Sequence, residues 1–252
     1  MLNGFWKDKR HDVASTPSTN TLAKEASLAG PSWELFVTDH QTAGYGQKGR
    51  SWDSPPGNLA FTLLARQFFK DQVPKPQVSL VAGVGVAKVL QKYLPVGVTL
   101  KWPNDIYVLG KKMGGILIQT AHETSLVVGI GLNVNSLRTD FPEAERENRT
   151  TLREILGHEV SKEEILSEVV KSVKEELLRF QSGEWPDLLK EYQTFSYFQK
   201  GMPLQIEEGP SGFFEKIQED GRLVLVDFLG KTHVAGSGRI ILSNFIENDS
   251  IT

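Results

Sequence analysis

Residues 41–58 read QTAGYGQKGRSWDSPPGN, and residues 101–117 read KWPNDIYVLGKKMGGIL. In the first stretch Gly44, Gly46 and Gly49 free the backbone to turn its N–H groups around an anion, with Lys48 and Arg50 beside them. In the second, Lys101, Lys111 and Lys112 add positive charge next to Asn104 and Asp105. Joining a carboxylate to an amine in water is uphill unless the carboxylate first becomes a mixed anhydride, for which ATP supplies AMP as the leaving group. That reaction needs donors around the α-phosphate, a cation where negative charge builds, and exclusion of water from the labile adenylate. The two stretches offer all three and predict an acyl-adenylate site.

Lys112 is the strongest single residue, because a lysine just before Gly114 and Gly115 stands at a strand entry where the backbone approaches a ligand closely. Its ammonium can bridge carboxylate and phosphate oxygens; a solvated turn lysine is the plainer alternative. Lys48 and Arg50 suit a clamp on triphosphate oxygens, or else a solubilising loop. Trp52 is either an aromatic wall for the nucleotide or packing for the loop base, and Trp102 reads as core. Asn104 and Asp105 are a turn pair by composition; beside a phosphate site the carboxylate can orient Lys101 or Lys112, or hold magnesium through water or phosphate oxygens. Gly129, Gly131 and Asn133 in VVGIGLNVN suit a strand end where backbone meets adenine or ribose, with a β-bulge as the alternative.

The elements that must position these residues are legible from spacing. Thr19, Asn20 and Thr21 precede helix-spaced Leu22, Ala23, Ala26 and Leu28 and predict a short helix. Short apolar runs at 35–38 and 59–65 predict two strands joined by the glycine loop. Residues 78–94 predict a buried helix stopped by Pro95, and 98–102, 106–109, 114–120 and 125–132 predict four strands. Ser161 with Glu164 forms a capping box before an apolar stripe from Ile165 to about Phe180. After 185–198 the pattern changes to short β-like runs at 203–206, 212–218, 223–228 and 232–237. The fold class expected is α+β: a mixed β-sheet catalytic domain over 1–198, with helices on one face, plus a small β-barrel module over 199–252. The tail 244–252 reads as frayed.

Composition narrows the function classes. With 252 residues and 39% apolar content the chain can bury one full domain and a small one. A net charge of −3 argues against a nucleic-acid groove spread over the whole surface. The absence of cysteine excludes thiol catalysis, disulfides and thiolate-bound metals. No apolar h-region opens the chain, and the longest apolar run, 80–87, is far below the ~18 residues of a membrane span. These features predict a cytoplasmic protein with no membrane association.

Taken together the segments resemble the biotin protein ligases, also called biotin–[acetyl-CoA carboxylase] ligases. The resemblance covers most of the chain and runs in order: Ser18, Thr19, Asn20; then 41–52; then KWPND with Lys112, Gly114 and Gly115; then 129–133; then the β-module. It implies a class II synthetase-like, lipoate ligase-like catalytic domain and an SH3-like barrel. It also implies a two-step reaction in which biotin and MgATP give biotinyl-5′-AMP, whose acyl group then passes to a lysine of a carrier domain of a biotin-dependent carboxylase. By motif position Ser18, Thr19, Asn20, Gln41, Tyr45, Gly46, Gln47, Lys112, Gly114 and Gly115 line the biotin end. Gly44, Lys48, Arg50, Trp52, Asn104, Asp105, Gly129, Gly131 and Asn133 surround the adenylate, and Lys112 with Arg50 are the catalytic pair. Mg2+ arrives mainly on the ATP phosphates, so no protein metal site is expected.

Two departures stand out. The family's glycine loop usually carries arginine where this chain has Tyr45, and again where it has Gln47. Only 17 residues precede Ser18, too few for the DNA-binding helix-turn-helix of relatives that double as repressors, so the monofunctional type is expected, with no autonomous DNA binding. Exposed sheet edges leave a homodimer possible. Two other readings stay in view: a lipoate or octanoate ligase or transferase of related fold, and a noncatalytic biotin-adenylate sensor.

Overall fold

The computed structural model of the chain describes residues 10–26, 32–71, 74–122 and 124–242. Leu28 of the first expected helix and the expected tail over 244–252 lie outside them. The first part holds β1 (Arg10–Thr16), α1 (Thr19–Glu25), β2 (Trp33–Gln41), β3 (Leu59–Ala65), α2 (Lys75–Tyr93), β4 (Val98–Lys101), β5 (Asp105–Val108), β6 (Lys111–Ala121) and β7 (Ser125–Leu132). Then come α3 (Glu143–Arg146), α4 (Leu152–Leu156), α5 (Lys162–Gln181) and α6 (Trp185–Phe195), followed by β8 (Pro203–Ile206), β9 (Ser211–Ile217), β10 (Leu223–Val226), β11 (Thr232–Ala235) and β12 (Ile240–Leu242).

A seven-stranded sheet runs in the order β1-β2-β3-β7-β6-β5-β4. It is mixed because β1 pairs parallel to β2 while the other neighbours are antiparallel. β3 and β7 are buried at every position. Side chains alternate between faces along a strand, so such strands need cover on both sides. Leu35, Phe61, Leu63 and Val128 face α2 and α5, whereas Phe36, Leu64 and Val127 face Ala23 of α1. Helices therefore lie on both faces, which corrects the expectation of one; the continuous apolar runs of β2, β3 and β7 already required it.

α2 is buried almost all round, and its glycines admit neighbours: a Cβ on Gly85 would come within 2.8 Å of Val173 Cα on α5. α5 begins where Ser161 Oγ accepts the Glu164 N–H at 3.3 Å, and its stripe from Ile165 to Leu177 is buried. β1, which no periodicity announced, is a polar edge strand reading RHDVAST.

The second sheet has five antiparallel strands in the order β11-β10-β9-β8-β12. It shares the core of the first: Leu204, Phe214, Leu223 and Leu225 belong to the same buried cluster as Trp102 and Val98. Trp102, core as expected at 1% exposure, donates its indole N–H to Gly221 O at 3.0 Å. Among the described residues no helix is long and apolar enough to cross a membrane.

Candidate active site

A cavity of about 700 Å3 opens on the face of the main sheet that carries α1. Its floor includes Gly115, Gly129 and Gly131 on β6 and β7, with Gly115 paired to Gly131. These positions need glycine because something lies directly on the sheet. A Cβ on Gly131 would enter the Trp52 indole, and one on Gly129 would enter the Asn20 carboxamide. Gly115 sits between the two motifs: its Cβ would lie 3.4 Å from Trp52, 3.6 Å from Asp105 Oδ1 and 3.7 Å from Lys112 Cε.

The glycine loop connects β2 and β3, as its flanking apolar runs predict. It folds back on itself through Gly46 N–H to Arg50 O at 2.7 Å and Trp52 N–H to Gly44 O at 2.9 Å. Its tip is in the left-handed region at Lys48 (φ 56) and Gly49 (φ 71). The tip is exposed, and Lys48 does not line the cavity. Gly44 does not line it either, since its Cα faces Gln41 and the Trp52 carbonyl.

The end of the cavity under α1 is polar and uncharged. Ser18, Thr19 and Asn20 are each 3% exposed. The Thr19 N–H donates to Gln41 Oε1 at 3.0 Å, the Thr62 hydroxyl lies 2.6 Å from Asn20 Oδ1, and Asn20 Nδ2 donates to Gln119 Oε1 at 3.0 Å. Ser18 is the N-cap of α1 by position, and its side chain makes no cap hydrogen bond. The residues read as a helix start are thereby lining residues of the cavity as well.

The opposite end is cationic. Lys112 Nζ sits 2.6 Å from Asp105 Oδ1 and 5.5 Å from the Trp52 ring centroid. Lys101 Nζ lies 5.2 Å from the Tyr107 ring and 5.8 Å from that of Tyr197. Burial pushes the Lys101 ammonium below the ordinary lysine pKa; Arg239 and Lys112 act in the same direction and Asp105 opposes them. Burial likewise raises the Tyr107 phenol, helped by Asp105 and Tyr197. Asn104 lines the wall but spends its amide on the turn, donating to Ile116 O at 2.8 Å.

Tyr45, Gly46, Gln47, Arg50 and Asp105 also border the cavity, so the structure brings together most residues singled out in the sequence. Gly114 and Asn133 do not border it. A Cβ on Gly114 would reach Gly131 O at 2.8 Å, so this glycine serves sheet packing. Asn133 is fully buried, with its Nδ2 on Thr150 O at 3.1 Å and its Oδ1 near Asn58 Nδ2 at 3.4 Å; it staples β7 to the segment that follows.

Two residues with no signal in their neighbourhood complete the cationic end. Arg149 is 7% exposed, ion-paired to Glu145, and stacked 5.2 Å over Trp52 and 5.4 Å over Phe141, with Nη1 lacking a hydrogen-bond partner. It reaches the site because Lys112 N–H donates to Asn148 O at 2.8 Å and Thr150 N–H to Lys112 O at 3.1 Å. Arg239, from the loop before β12, enters from the second sheet.

Residues 13–135 match the biotin/lipoate A/B protein ligase family. The biotin–[acetyl-CoA-carboxylase] ligase of Mycobacterium tuberculosis is 30% identical over 241 residues, covering 91% of this chain and 87% of that protein. The chain belongs to the biotin protein ligase family. The biotin protein ligase of Aquifex aeolicus in complex with biotin and ATP superposes with a TM-score of 0.80 at 28% identity, covering 94% of this chain and 99% of that one. The bifunctional ligase/repressor BirA of Bacillus subtilis is 34% identical over 168 residues; the match takes in 64% of this chain and about half, 50%, of that relative's length.

Proposed function

We propose that the chain is a biotin protein ligase: it activates biotin with MgATP to biotinyl-5′-AMP and passes the biotinyl group to a lysine of the carrier domain of a biotin-dependent carboxylase, in the cytoplasm. The observation that carries this reading is the change of character along one glycine floor. Buried hydroxyls and amides stand over Gly129, Trp52 over Gly131, and the Lys112–Asp105 pair beside Gly115. A cavity of about 700 Å3 is within the range of substrate pockets.

In this reading Ser18, Thr19, Asn20 and Gln41 hold the ureido ring, whose donors and acceptors match neutral polar groups. Trp52 and the Arg149 guanidinium supply flat faces for a planar base. A carboxylate oxygen of biotin attacks the α-phosphorus, the bond to the bridging oxygen breaks, and pyrophosphate leaves. The Lys112 ammonium, oriented by Asp105, stabilises the charge where carboxylate and phosphate oxygens meet. The neutral amine of the acceptor lysine then attacks the acyl carbon, and AMP departs. No covalent enzyme intermediate is needed.

Among the described residues Asp105 and Glu145 are the carboxylates bordering the cavity, and each is ion-paired. That donor set suits Mg2+ carried on the ATP phosphates, where it would neutralise charge, better than a cage of protein ligands. We extend the reading to the second sheet as an SH3-like module over 199–252 that closes the nucleotide end; its Arg239 and Ile240 border the same cavity.

Lys112→Ala is expected to reduce biotin- and ATP-dependent pyrophosphate release by about 100-fold or more while leaving the circular dichroism spectrum unchanged. Unchanged release would remove Lys112 from the mechanism. Pyrophosphate release with lipoate and not with biotin would overturn the assignment itself.

A further inference from the structure

Tyr45 points away from the cationic end. Its hydroxyl donates to Gln119 Oε1 at 3.1 Å, the same oxygen that accepts from Asn20 Nδ2 at 3.0 Å. Lys24 Nζ of α1 lies 5.8 Å from the centre of its ring. Burial alone would raise the phenol pKa, but hydrogen bonds to Thr21 and Lys24 and the Lys24 charge bring it below the ordinary value. One side chain thus connects the glycine loop to both α1 and β6, which form the polar end of the cavity.

The loop needs such a connection. Gly44, Gly46 and Gly49 give it large conformational freedom, and every residue fixed over the cavity costs backbone entropy. Its own hydrogen bonds, Gly46 to Arg50 and Trp52 to Gly44, shape it, while Thr42 N–H to Thr16 O at 2.9 Å and Ala43 N–H to Pro17 O at 3.0 Å fix only its base, ahead of the glycines. Beyond that base, Trp52, seated on Gly131, and Tyr45, whose hydroxyl reaches Gln119, attach the glycine-rich part of the loop.

We propose that Tyr45, acting through Gln119, is a positioning residue that holds the glycine loop folded over the cavity before any substrate arrives. An arginine at this position would favour solvent or a bound anion. The tyrosine hydroxyl instead finds a neutral acceptor on the sheet, so closure does not wait for the ligand. Gln119 becomes part of the site's support although neither motif contains it.

Limited trypsin digestion of the substrate-free full chain tests this, because Lys48 and Arg50 are exposed at the loop tip and cleavage there reports the open loop. Tyr45→Phe keeps the ring and removes the hydroxyl; cleavage at Lys48 and Arg50 is expected to rise at least about fivefold, the weight of one neutral hydrogen bond being the lower bound. Gln119→Met removes one of the hydroxyl's partners and is expected to raise cleavage in the same direction by no more than Tyr45→Phe does, and the double variant no more than Tyr45→Phe alone. Gln119→Glu keeps an acceptor for both Tyr45 and Asn20 and is expected to be cut as slowly as the parent. If Tyr45→Phe is cut at the parent rate, the proposal fails, and if Gln119→Met alone is faster, the loop is held by Asn20 and not by Tyr45. A second readout rests on the biotin ligase reading: the KM for biotin rises in Tyr45→Phe by more than kcat falls. Absence of biotin-dependent pyrophosphate release in the parent protein would defeat that reading while leaving the cleavage result to judge the latch.

Discussion

Gln47 borders the cavity with a neutral amide where the family's loop usually carries a charge, and Arg50, the loop cation that also borders the cavity, turns its Nε toward Gln47 O at 3.4 Å. A charge-assisted contact to an acyl phosphate is worth about 1 to 3 kcal/mol beyond what the amide offers, or one to two decades in retention. Gln47→Arg is therefore expected to slow the loss of biotinyl-AMP from the purified protein by about 10- to 100-fold, read as the half-life of the bound adenylate after gel filtration. Equal half-lives would mean that the backbone N–H groups supply the grip and that side-chain identity at 47 is indifferent. Some individual residues were legible because chemistry and spacing coincide, as with Lys112 and Asp105 in one short hairpin. Arg149 was not, since a lone arginine in ENRTTL carries no pattern and reaches Trp52 only through backbone pairing of its segment with Lys112. Asn133 shows the limit of a local pattern: an amide next to GIG suits a ligand, and the fold places this one off the cavity lining, against Lys112 O, Thr150 O and Asn58.

At the scale of elements, the hairpin explains how the second motif works. β5 and β6 are joined by Leu109 and Gly110, both at positive φ (51 and 73), the geometry of a tight two-residue turn. The ladder then slips between Ile106 and Tyr107. Strict alternation would put Lys112 and Gly115, three residues apart, on opposite faces; the bulge brings both onto the cavity side with Asp105. Periodicity announces the two strands but not a one-residue slip, so the sequence could place Lys112 near the floor without its orientation. The floor itself makes a sharper prediction. Gly131→Ala puts a methyl group inside the space of the Trp52 indole, so the ring must leave. The expected outcome is a native circular dichroism spectrum, loss of the fluorescence contribution assigned to Trp52 by difference from Trp52→Phe, and ATP affinity weaker by about tenfold or more, the scale of one aromatic stacking contact. An unaltered Trp52 signal with unaltered ATP affinity would show that the floor tolerates a side chain and that its glycines were not selected by the indole.

Across the whole molecule, the chain's two sheets are bound by one core and not merely by a linker. The sequence shows the change from long helices to short strands near 200, but nothing in it reveals that Leu204, Phe214 and Leu225 pack into the cluster of the main sheet, because that contact joins residues far apart in the chain. Trp102 is the joint. It stands inside the KWPND run, is buried at 1%, and donates to Gly221 in the turn before β10, while Gln77 and Trp185 donate to the neighbouring Glu219 carbonyl at 2.8 Å and 2.5 Å. The turn before β10 thus bonds directly to the residue next to Lys101. Trp102→Phe removes the donor from a buried carbonyl and leaves part of the indole's volume empty, a loss of about 3 kcal/mol. With a shared core that loss belongs to the whole fold: one melting transition, lowered by roughly 6 to 12 °C, and amide exchange accelerated together in β10 and α5. Exchange accelerated in β10 alone, with α5 unchanged, would instead mark the second sheet as an independently stable module, able to open over the nucleotide end without disturbing the site beneath it.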